Sequence, residues 1–247
     1  MNAKLLIIGP SHYCEKSRWS LEKAGIAFEE EGRAPFFHIP VVRSAGGNRT
    51  TPVLLTSDSI QKDSVDISHW IQQNHLSKWK PYGDNPEEQT QIRELEKEFG
   101  RKLGVLTRLL TYHFLLPHKK LVLDVMSYNT PSHEINWISR LYPAFSFMMR
   151  RAMNVNAQNA KRAHSAILQI FEDIEERAKG EFLVGHTLSI ADISFASLSA
   201  PILSPAKYGV TTVPKFSKLP SDLQNIIHGF RQTTGGKRVL RLYETYR

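Results

Sequence analysis

Residues 5–14 read LLIIGPSHYC, and the fold expected for the first part of the chain follows from this stretch. The four apolar residues 5–8 suffice for a short buried strand, which Gly9 and Pro10 then end. A helix-length segment follows over residues 11–24. Because a strand that leads directly into a helix is typical of an α/β unit, we predict an α/β fold here.

The alternation of strand and helix patterns continues to about residue 76. We predict further strands at 26–29, 52–55 and 59–60, a helix over 63–73, and either helix or loop over 35–45. The last two strands form a hairpin in this interpretation, with its turn at residues 57–58.

Beyond this region the sequence changes character. Residues 77–86 are rich in Lys, Trp, Pro, Gly and Asp, a composition typical of a linker. Apolar residues then recur at three- and four-residue steps, which predicts helices: Ile92, Leu95, Phe99, Leu103, Leu106 and Leu110. We therefore predict an N-terminal domain over 1–76, a linker over 77–86 and an all-helical domain over 87–247.

Composition excludes several classes of protein. The 247 residues are 41% hydrophobic and 23% charged, so neither wholesale disorder nor a fibrous repeat is expected. The single cysteine excludes an intrachain disulfide and fits a reducing, cytoplasmic location. No apolar stretch is long enough for a membrane span, so we expect a soluble protein. The net charge of +8 is scattered along the chain, which makes nucleic-acid binding unlikely.

Familiar motifs of metal and nucleotide sites are absent from the sequence. The ten histidines lie apart, no His-Glu-x-x-His occurs, and one cysteine cannot build a thiolate cluster, so we expect no metal. Neither a Gly-x-Gly-x-x-Gly loop nor a Gly-x-Ser-x-Gly motif is present.

Ser11 lies at the start of the first predicted helix, beside backbone N–H groups that have no partner within the helix. The partial positive charge there stabilises an anion, and a hydroxyl at this place can donate a hydrogen bond to a bound thiolate. Such a bond lowers the pKa of the thiol, so more of the nucleophile is ionised at neutral pH. Because serine is also a preferred N-cap residue, Ser11 alone leaves both interpretations open.

Three further segments accompany this motif. Residues 50–53 read TTPV, residues 63–67 read DSVDI, and residues 185–192 read GHTLSIAD. Together with residues 11–18, they closely resemble the corresponding segments of the glutathione S-transferase superfamily. The resemblance implies a thioredoxin-like N-terminal domain followed by an all-α domain. It also implies a cytoplasmic homodimer that binds reduced glutathione as co-substrate and conjugates it to a small apolar electrophile, as in detoxification.

In this resemblance Ser11 is the activating hydroxyl, at the position where glutaredoxin-like relatives carry the first cysteine of a Cys-x-x-Cys pair. Cys14 keeps the fourth position of that pair. It lies in the first turn of a helix, where its pKa can fall, so a mixed disulfide with glutathione is one interpretation; a buried small hydrophobe is the other. Tyr13 is interpreted first as a packing or substrate contact, and second as an activating phenol.

The resemblance also implies the glutathione contacts. Thr51 and Pro52 match a cis-proline dipeptide that presents backbone N–H and C=O groups to the cysteinyl part of glutathione. Asp63 and Ser64 open a helix whose free N–H groups can hold the γ-glutamyl carboxylate, although Asp63 can equally be a simple cap. Arg49 is the candidate for the glycine carboxylate, and His38 is a weaker one.

In the helical domain, Ser189 and Asp192 have the spacing of a capping box, which stabilises a helix start. The wall of the electrophile site is expected to carry aromatic side chains, and the candidates are Tyr112, His113, Phe114, Trp137 and Phe145.

Three hypotheses on function follow. The first is a serine-type glutathione transferase that stabilises the thiolate through Ser11. The second is a thiol-dependent reductase or deglutathionylating enzyme that uses Cys14. The third is a non-catalytic binding protein that retains the fold.

Overall fold

The strand and helix patterns of the N-terminal part produce a four-stranded mixed sheet. The structure is a computed structural model and describes residues 3–74, 77–178 and 180–247. The strands are β1 (Lys4–Ile7), β2 (Glu29–Gly32), β3 (Val53–Leu55) and β4 (Ile60–Gln61), in the spatial order β2-β1-β3-β4. Strand β1 pairs parallel with β2 and antiparallel with β3, and β3 and β4 form the predicted hairpin.

Both faces of the sheet are covered because side chains alternate along a strand. Helices α1 (His12–Lys23), α2 (His38–Ser44) and α3 (Ser64–Gln73) supply the covers. Leu5 and Ile7 pack into one apolar cluster with residues of α1 and α3, such as Leu21 and Ile67. Leu6 points to the other face, where it joins a smaller cluster that includes Val42 of α2.

The second strand was predicted at 26–29, and this prediction was wrong by three residues. Ile26 instead ends the turn after α1, where its N–H donates to Leu21 O at 3.0 Å and its side chain is buried. Strand β2 starts at Glu29, whose N–H donates to Ala3 O at 2.8 Å. Pairing with β1 therefore overrides the low β propensity of three successive glutamates.

The remainder of the chain is mostly helical, which confirms the predicted fold class. The helices are α4 (Pro86–Glu98), α5 (Gly104–Leu115), α6 (Lys119–Met126), α7 (Ser132–Arg140), α8 (Tyr142–Ala152), α9 (Ala157–Arg177), α10 (Ile190–Ser199), α11 (Ser221–Gln232) and α12 (Thr234–Tyr246). A π-helical turn, Phe99–Leu103, joins α4 to α5. Short 3-10 turns occupy Ala200–Ile202 and Phe216–Lys218. None of the helices formed by the described residues has the length and hydrophobicity needed to span a bilayer.

Two local predictions for the helical region are confirmed. Ile92, Phe99 and Leu103 of the apolar stripe are no more than 2% exposed, so the stripe is core. The capping box at the start of α10 is also present. The Asp192 carboxylate accepts from the Ser189 N–H at 2.9 Å and from a more distant backbone N–H at 2.8 Å, so it also anchors the preceding loop.

The segment predicted as a linker is well packed. Tyr82 is fully buried, and the Trp79 indole Nε1 donates to the Leu188 carbonyl at 2.8 Å. Residue 76, the predicted end of the N-terminal domain, and residue 1, its start, lie outside the described residues. The division into domains at that point stays a prediction.

Helix α1 connects the sheet to the helical region through buried charges. The Lys16 Nζ lies 2.6 Å from Glu96 Oε1 of α4, and both side chains are no more than 3% exposed. Tyr82 completes this network, since its hydroxyl donates to Glu96 Oε2 at 2.5 Å. Burial, with the adjacent Glu96 carboxylate, raises the pKa of Tyr82, so the phenol stays protonated as the donor.

A second buried carboxylate on α1 anchors the end of the chain. Glu15 is fully buried and accepts from Arg18 at 2.9 Å and from Arg247 Nε at 2.8 Å. The Gly209 N–H also points at this carboxylate, at 3.2 Å. Glu15, Lys16 and Arg18 are therefore structural partners rather than solvated surface.

We predict that Lys16→Met lowers the free energy of unfolding by about 3–5 kcal/mol, because it leaves the Glu96 carboxylate buried without its cation. The double variant Lys16→Met/Glu96→Leu should lose markedly less than the two single variants combined. Urea unfolding measures these differences. As a control, Lys120→Met breaks the exposed pair with Asp124 and should cost less than about 0.5 kcal/mol. Equal losses for Lys16→Met and Lys120→Met would contradict the role given to the buried pair.

Candidate functional site

A cavity of about 460 Å³ lies where the N-terminal region meets the helical region. The N-terminal region contributes Ser11 and Tyr13 from the start of α1, and Arg49 and Thr51 from the segment before β3. Four of the eight residues predicted for the site therefore lie around one cavity. The opposite wall comes from α5, α6, α8 and the segment that leads into α11.

Ser11 occupies the N-cap position of α1, with extended backbone angles (φ −66°, ψ 124°). Its carbonyl accepts from the Glu15 N–H at 2.9 Å, as expected for a helix start. The Ser11 hydroxyl, however, caps none of the backbone N–H groups of the helix within the described residues 3–74. The hydroxyl lies instead beside the Cys14 thiol, and the residue lines the cavity.

Cys14 lies behind Ser11, inside the apolar cluster between α1 and the sheet, and is fully buried. Burial raises the pKa of the Cys14 thiol, and the nearby Arg18 charge and the Ser11 and Thr51 hydroxyls offset this only in part. The pKa of this thiol is therefore raised rather than lowered, because removal from water outweighs the favourable charges. These properties match the interpretation of Cys14 as a buried small hydrophobe.

Tyr13 lines the cavity with its ring, but its hydroxyl is already engaged. The phenol donates to the Gly100 carbonyl at 2.7 Å, in the π-helical turn. Burial raises the pKa of Tyr13, partly countered by Arg108. Tyr13 thus contacts the helical region, which agrees with its first interpretation as a packing residue.

The Thr51–Pro52 peptide bond is cis, as the resemblance implied. Pro52 is buried, whereas Thr51 is partly exposed and lines the cavity. Within the described ranges, neither the N–H nor the C=O of Thr51 has a backbone partner. This dipeptide therefore offers a free donor and a free acceptor beside Ser11.

Arg49 is exposed and lines the cavity, and its carbonyl accepts from the His38 Nε2 at 3.0 Å. Burial lowers the pKa of His38, so this ring is neutral near neutral pH. The Arg49 guanidinium is the cation on this side, and His38 positions the backbone that carries it.

Asp63 and Ser64 do not line the cavity. Asp63 caps α3, since its carboxylate accepts from the Val65 and Asp66 N–H groups at 2.8 Å and 2.9 Å. Ser64 is 7% exposed, and its hydroxyl accepts from Lys16 Nζ at 3.5 Å. The simple capping interpretation of Asp63 is confirmed, and a ligand role for Ser64 stays a prediction.

The wall from the helical region is built chiefly of flexible apolar side chains rather than aromatic ones. It includes Leu115, Val122, Met126, Met149, Met153 and Leu223. Of the five aromatic candidates, Tyr112 lines the cavity. Trp137 is 52% exposed, and Phe145 is buried in the apolar cluster behind this wall without lining the cavity. Helical spacing shows that a residue faces inward, but not which neighbouring helix it meets.

Sequence reasoning missed two polar residues of this cavity. His12 is 3% exposed, and its Nε2 donates to the Gly104 carbonyl at 2.9 Å. Burial, reinforced by the charge of Arg108, lowers the pKa of His12 to about 3. Arg108 of α5 lines the cavity directly. A lone arginine in a helix gives no sequence signal that separates it from solvated surface.

Comparisons with known proteins agree with this architecture. Residues 8–79 match the family model described as the glutathione S-transferase N-terminal domain. No curated protein sequence matches the chain.

Solved structures match nearly the full length at low sequence identity. One is a glutathione S-transferase of Ceriporiopsis subvermispora in complex with glutathione, with 14% identity, a TM-score of 0.66, and coverage of 99% of this chain and 97% of that one. The beta-etherase LigF from Sphingobium sp. strain SYK-6 has 17% identity and a TM-score of 0.62, over 98% and 99% of the two chains. Glutathione transferase F2 from Populus trichocarpa has 13% identity and a TM-score of 0.56, over 98% and 99%.

We predict that His12 makes the stability of this protein depend on pH. The folded state keeps the imidazole neutral down to about pH 3, whereas the unfolded chain binds a proton below about 6.5. The free energy of unfolding should therefore fall as the pH drops, and between pH 7 and 5 the loss from this group should be about 2 kcal/mol. Urea unfolding of the wild type and of His12→Gln at both pH values measures the contribution of His12 to this loss, because the variant lacks the titrating ring.

His186→Gln, at an exposed position, is the matched control and should retain the wild-type dependence on pH. An identical dependence in the wild type and His12→Gln would refute the assignment.

Proposed function

We propose that the chain is a glutathione transferase, because residues 8–79 match the glutathione S-transferase N-terminal domain model and the chain has the glutathione S-transferase fold. It conjugates reduced glutathione to an apolar electrophile. One observation carries the proposal: a single cavity receives the Ser11 hydroxyl from one side and a flexible apolar wall from the other.

Glutathione is held along the N-terminal side of the cavity in this proposal. The free N–H and C=O of Thr51 suit the peptide groups of the cysteinyl part, which lies along this segment like an added strand. The exposed Arg49 guanidinium suits the glycine carboxylate. This orientation places the glutathione sulfur near the start of α1, where Ser11 lies.

Ser11 then acts on the ionisation of the thiol. Its hydroxyl, which caps no N–H among residues 3–74, donates a hydrogen bond to the sulfur once the sulfur is negative. The partial positive charge at the start of α1 acts in the same direction. A hydrogen bond to a charged group contributes about 1.5–3 kcal/mol, which corresponds to roughly one to two pKa units. More thiolate is therefore present at neutral pH, and the thiol proton passes to solvent.

Conjugation is a substitution or an addition at carbon. With a chlorinated nitroarene, the thiolate sulfur forms a C–S bond with the carbon that bears chlorine, the C–Cl bond breaks, and chloride leaves with its electron pair. The protein contributes thiolate population and proximity, since both reactants occupy the same cavity. The apolar wall provides the burial that an uncharged ring needs.

A reductase that works through Cys14 needs a reactive, accessible thiolate. The thiol is fully buried, and burial raises its pKa. These observations favour Ser11 over Cys14 as the residue that contacts the glutathione sulfur. The homodimer and the cytoplasmic location implied by the family stay predictions.

We predict that Ser11→Ala lowers kcat/KM for conjugation of chlorodinitrobenzene by about 10- to 100-fold, because the thiolate loses a charge-assisted hydrogen bond. Absorbance of the conjugate measures the rate. Ser165→Ala, at an exposed position in α9, is the matched control and should retain the wild-type rate. Cys14→Ala tests the alternative that Cys14 is the residue on which activity depends. Full activity of Ser11→Ala, or loss of activity confined to Cys14→Ala, would overturn the assignment.

We predict that reduced glutathione raises the free energy of unfolding by about 2.7 kcal/mol at about 100 times its Kd. Arg49→Gln should weaken glutathione binding by about tenfold, because it removes the partner of one carboxylate. Thermal unfolding with increasing glutathione measures both effects. Arg43→Gln, an exposed charge change on α2 outside the cavity, should leave the Kd unchanged. No stabilisation of the wild type would contradict glutathione binding, and stabilisation without conjugation would indicate a binding protein.

A further inference from the structure

Arg108 of α5 is a cation held against an apolar cavity, and it has no partner among the described residues. It lines the cavity, it is half-buried, and its Nε is enclosed with no hydrogen-bond acceptor among the described residues. No carboxylate of the described residues forms an ion pair with its guanidinium. Removing a charge from water without a partner is costly, so an anion that enters the cavity would pair favourably with this guanidinium.

Other buried arginines of the protein behave differently. Arg18 contacts two carboxylates, at 2.9 Å and 2.5 Å, and Arg238 contacts Glu175 at 2.6 Å. Arg231 donates to two backbone carbonyls, at 2.8 Å and 2.7 Å. Arg49 has no such partner in the described part of the chain either, but it is exposed, so water can solvate it. Arg108 thus combines partial burial, a missing partner and a place in the cavity.

The field of Arg108 extends over the interior of the cavity. Its charge opposes protonation of His12 and lowers the pKa values of Tyr13 and Tyr112 against the effect of burial, and all three residues line the same space. No carboxylate is found among the described residues that line the cavity. His12 is neutral near pH 7, so Arg108 and the exposed Arg49 are the positive charges that face the cavity from the described chain.

Thr111 provides a second polar contact beside Arg108. It lies three residues further along α5, on the same helix face, and also lines the cavity. Its hydroxyl is enclosed and has no hydrogen-bond partner in the described chain. A guanidinium and a hydroxyl one turn apart can together donate to the two oxygens of a carboxylate.

From this pair we propose that the cavity selects electrophiles that carry a carboxylate, which Arg108 binds with help from Thr111. The inference rests on the proposed function, since it names the substrate class of that same site. The apolar wall of Met and Leu side chains accepts the body of the molecule, and the single unpaired guanidinium accepts one negative charge. Glutathione uses the opposite, Arg49 side of the cavity, so the two anions do not compete for one cation.

The reaction is the same substitution as with an uncharged chlorinated nitroarene. With a chlorodinitrobenzoate whose chlorine is para to the carboxylate, the thiolate sulfur bonds to the carbon that bears chlorine. The C–Cl bond breaks, chloride leaves with the electron pair, and the thiol proton has passed to solvent. The carboxylate is unchanged and remains paired with Arg108.

The test compares this chlorodinitrobenzoate with its methyl ester, which has the same reactive centre without the charge. After correction for the uncatalysed rates, the wild type should favour the acid by about tenfold in kcat/KM, mainly through KM, since tenfold corresponds to 1.4 kcal/mol of a charge-assisted contact. Arg108→Gln should remove this preference, and Arg108→Lys should restore part of it. Arg101→Gln, an exposed charge change in the π-helical turn, should keep the wild-type preference.

Binding of the unreactive dinitrobenzoate and its methyl ester, measured by calorimetry, separates this inference from the transferase proposal. Tighter binding of the acid to the wild type, lost in Arg108→Gln, supports the carboxylate site even if no conjugation occurs. Failure of the wild type to conjugate either electrophile would overturn the proposed function but not the carboxylate site. Equal binding of acid and ester, or a preference for the acid that Arg108→Gln retains, would overturn the carboxylate site.

Discussion

The buried ion pair between Lys16 and Glu96 is the interaction on which the geometry of the candidate site depends. It joins α1, which packs on the sheet, to α4, the first helix of the helical region. The start of α1 lies one turn before Lys16, so Ser11 is held at a fixed place relative to the opposite wall. A cavity between two regions keeps its shape only if the elements on both sides are anchored to each other, and this pair provides such an anchor.

The same helix start shows how burial separates two neighbouring candidates. Ser11 and Cys14 lie within one turn, and both are exposed to the partial positive charge of the helix. Ser11 faces the cavity, whereas Cys14 faces the core between α1 and the sheet. Burial then raises the pKa of Cys14, because removal from water disfavours the thiolate more than the Arg18 charge and the neighbouring hydroxyls favour it. Three residues of separation therefore decide which side chain can act on a ligand.

The cavity is electrostatically asymmetric, and this asymmetry links the two proposals. Its apolar wall suits an aromatic or aliphatic body, while its two arginines lie on different elements, Arg49 before β3 and Arg108 on α5. No carboxylate among the described residues that line the cavity neutralises either arginine. A tripeptide with a free carboxylate and a second, acidic substrate would together supply a negative charge for each of these arginines. Neutral His12 adds shape and a hydrogen bond between the regions without adding charge.

The amino-acid sequence by itself determined the local features: the strand that leads into α1, the hairpin, the cap at Asp63 and the capping box at Asp192. These depend on turn residues and on hydrogen bonds between neighbours a few positions apart, which a short stretch specifies completely. Only the tertiary structure decided that Cys14 is buried, that β2 begins at Glu29, and that Arg108 faces the cavity. Each of these depends on which distant segment packs against the residue, and burial and the field of remote charges exist only once that packing has formed.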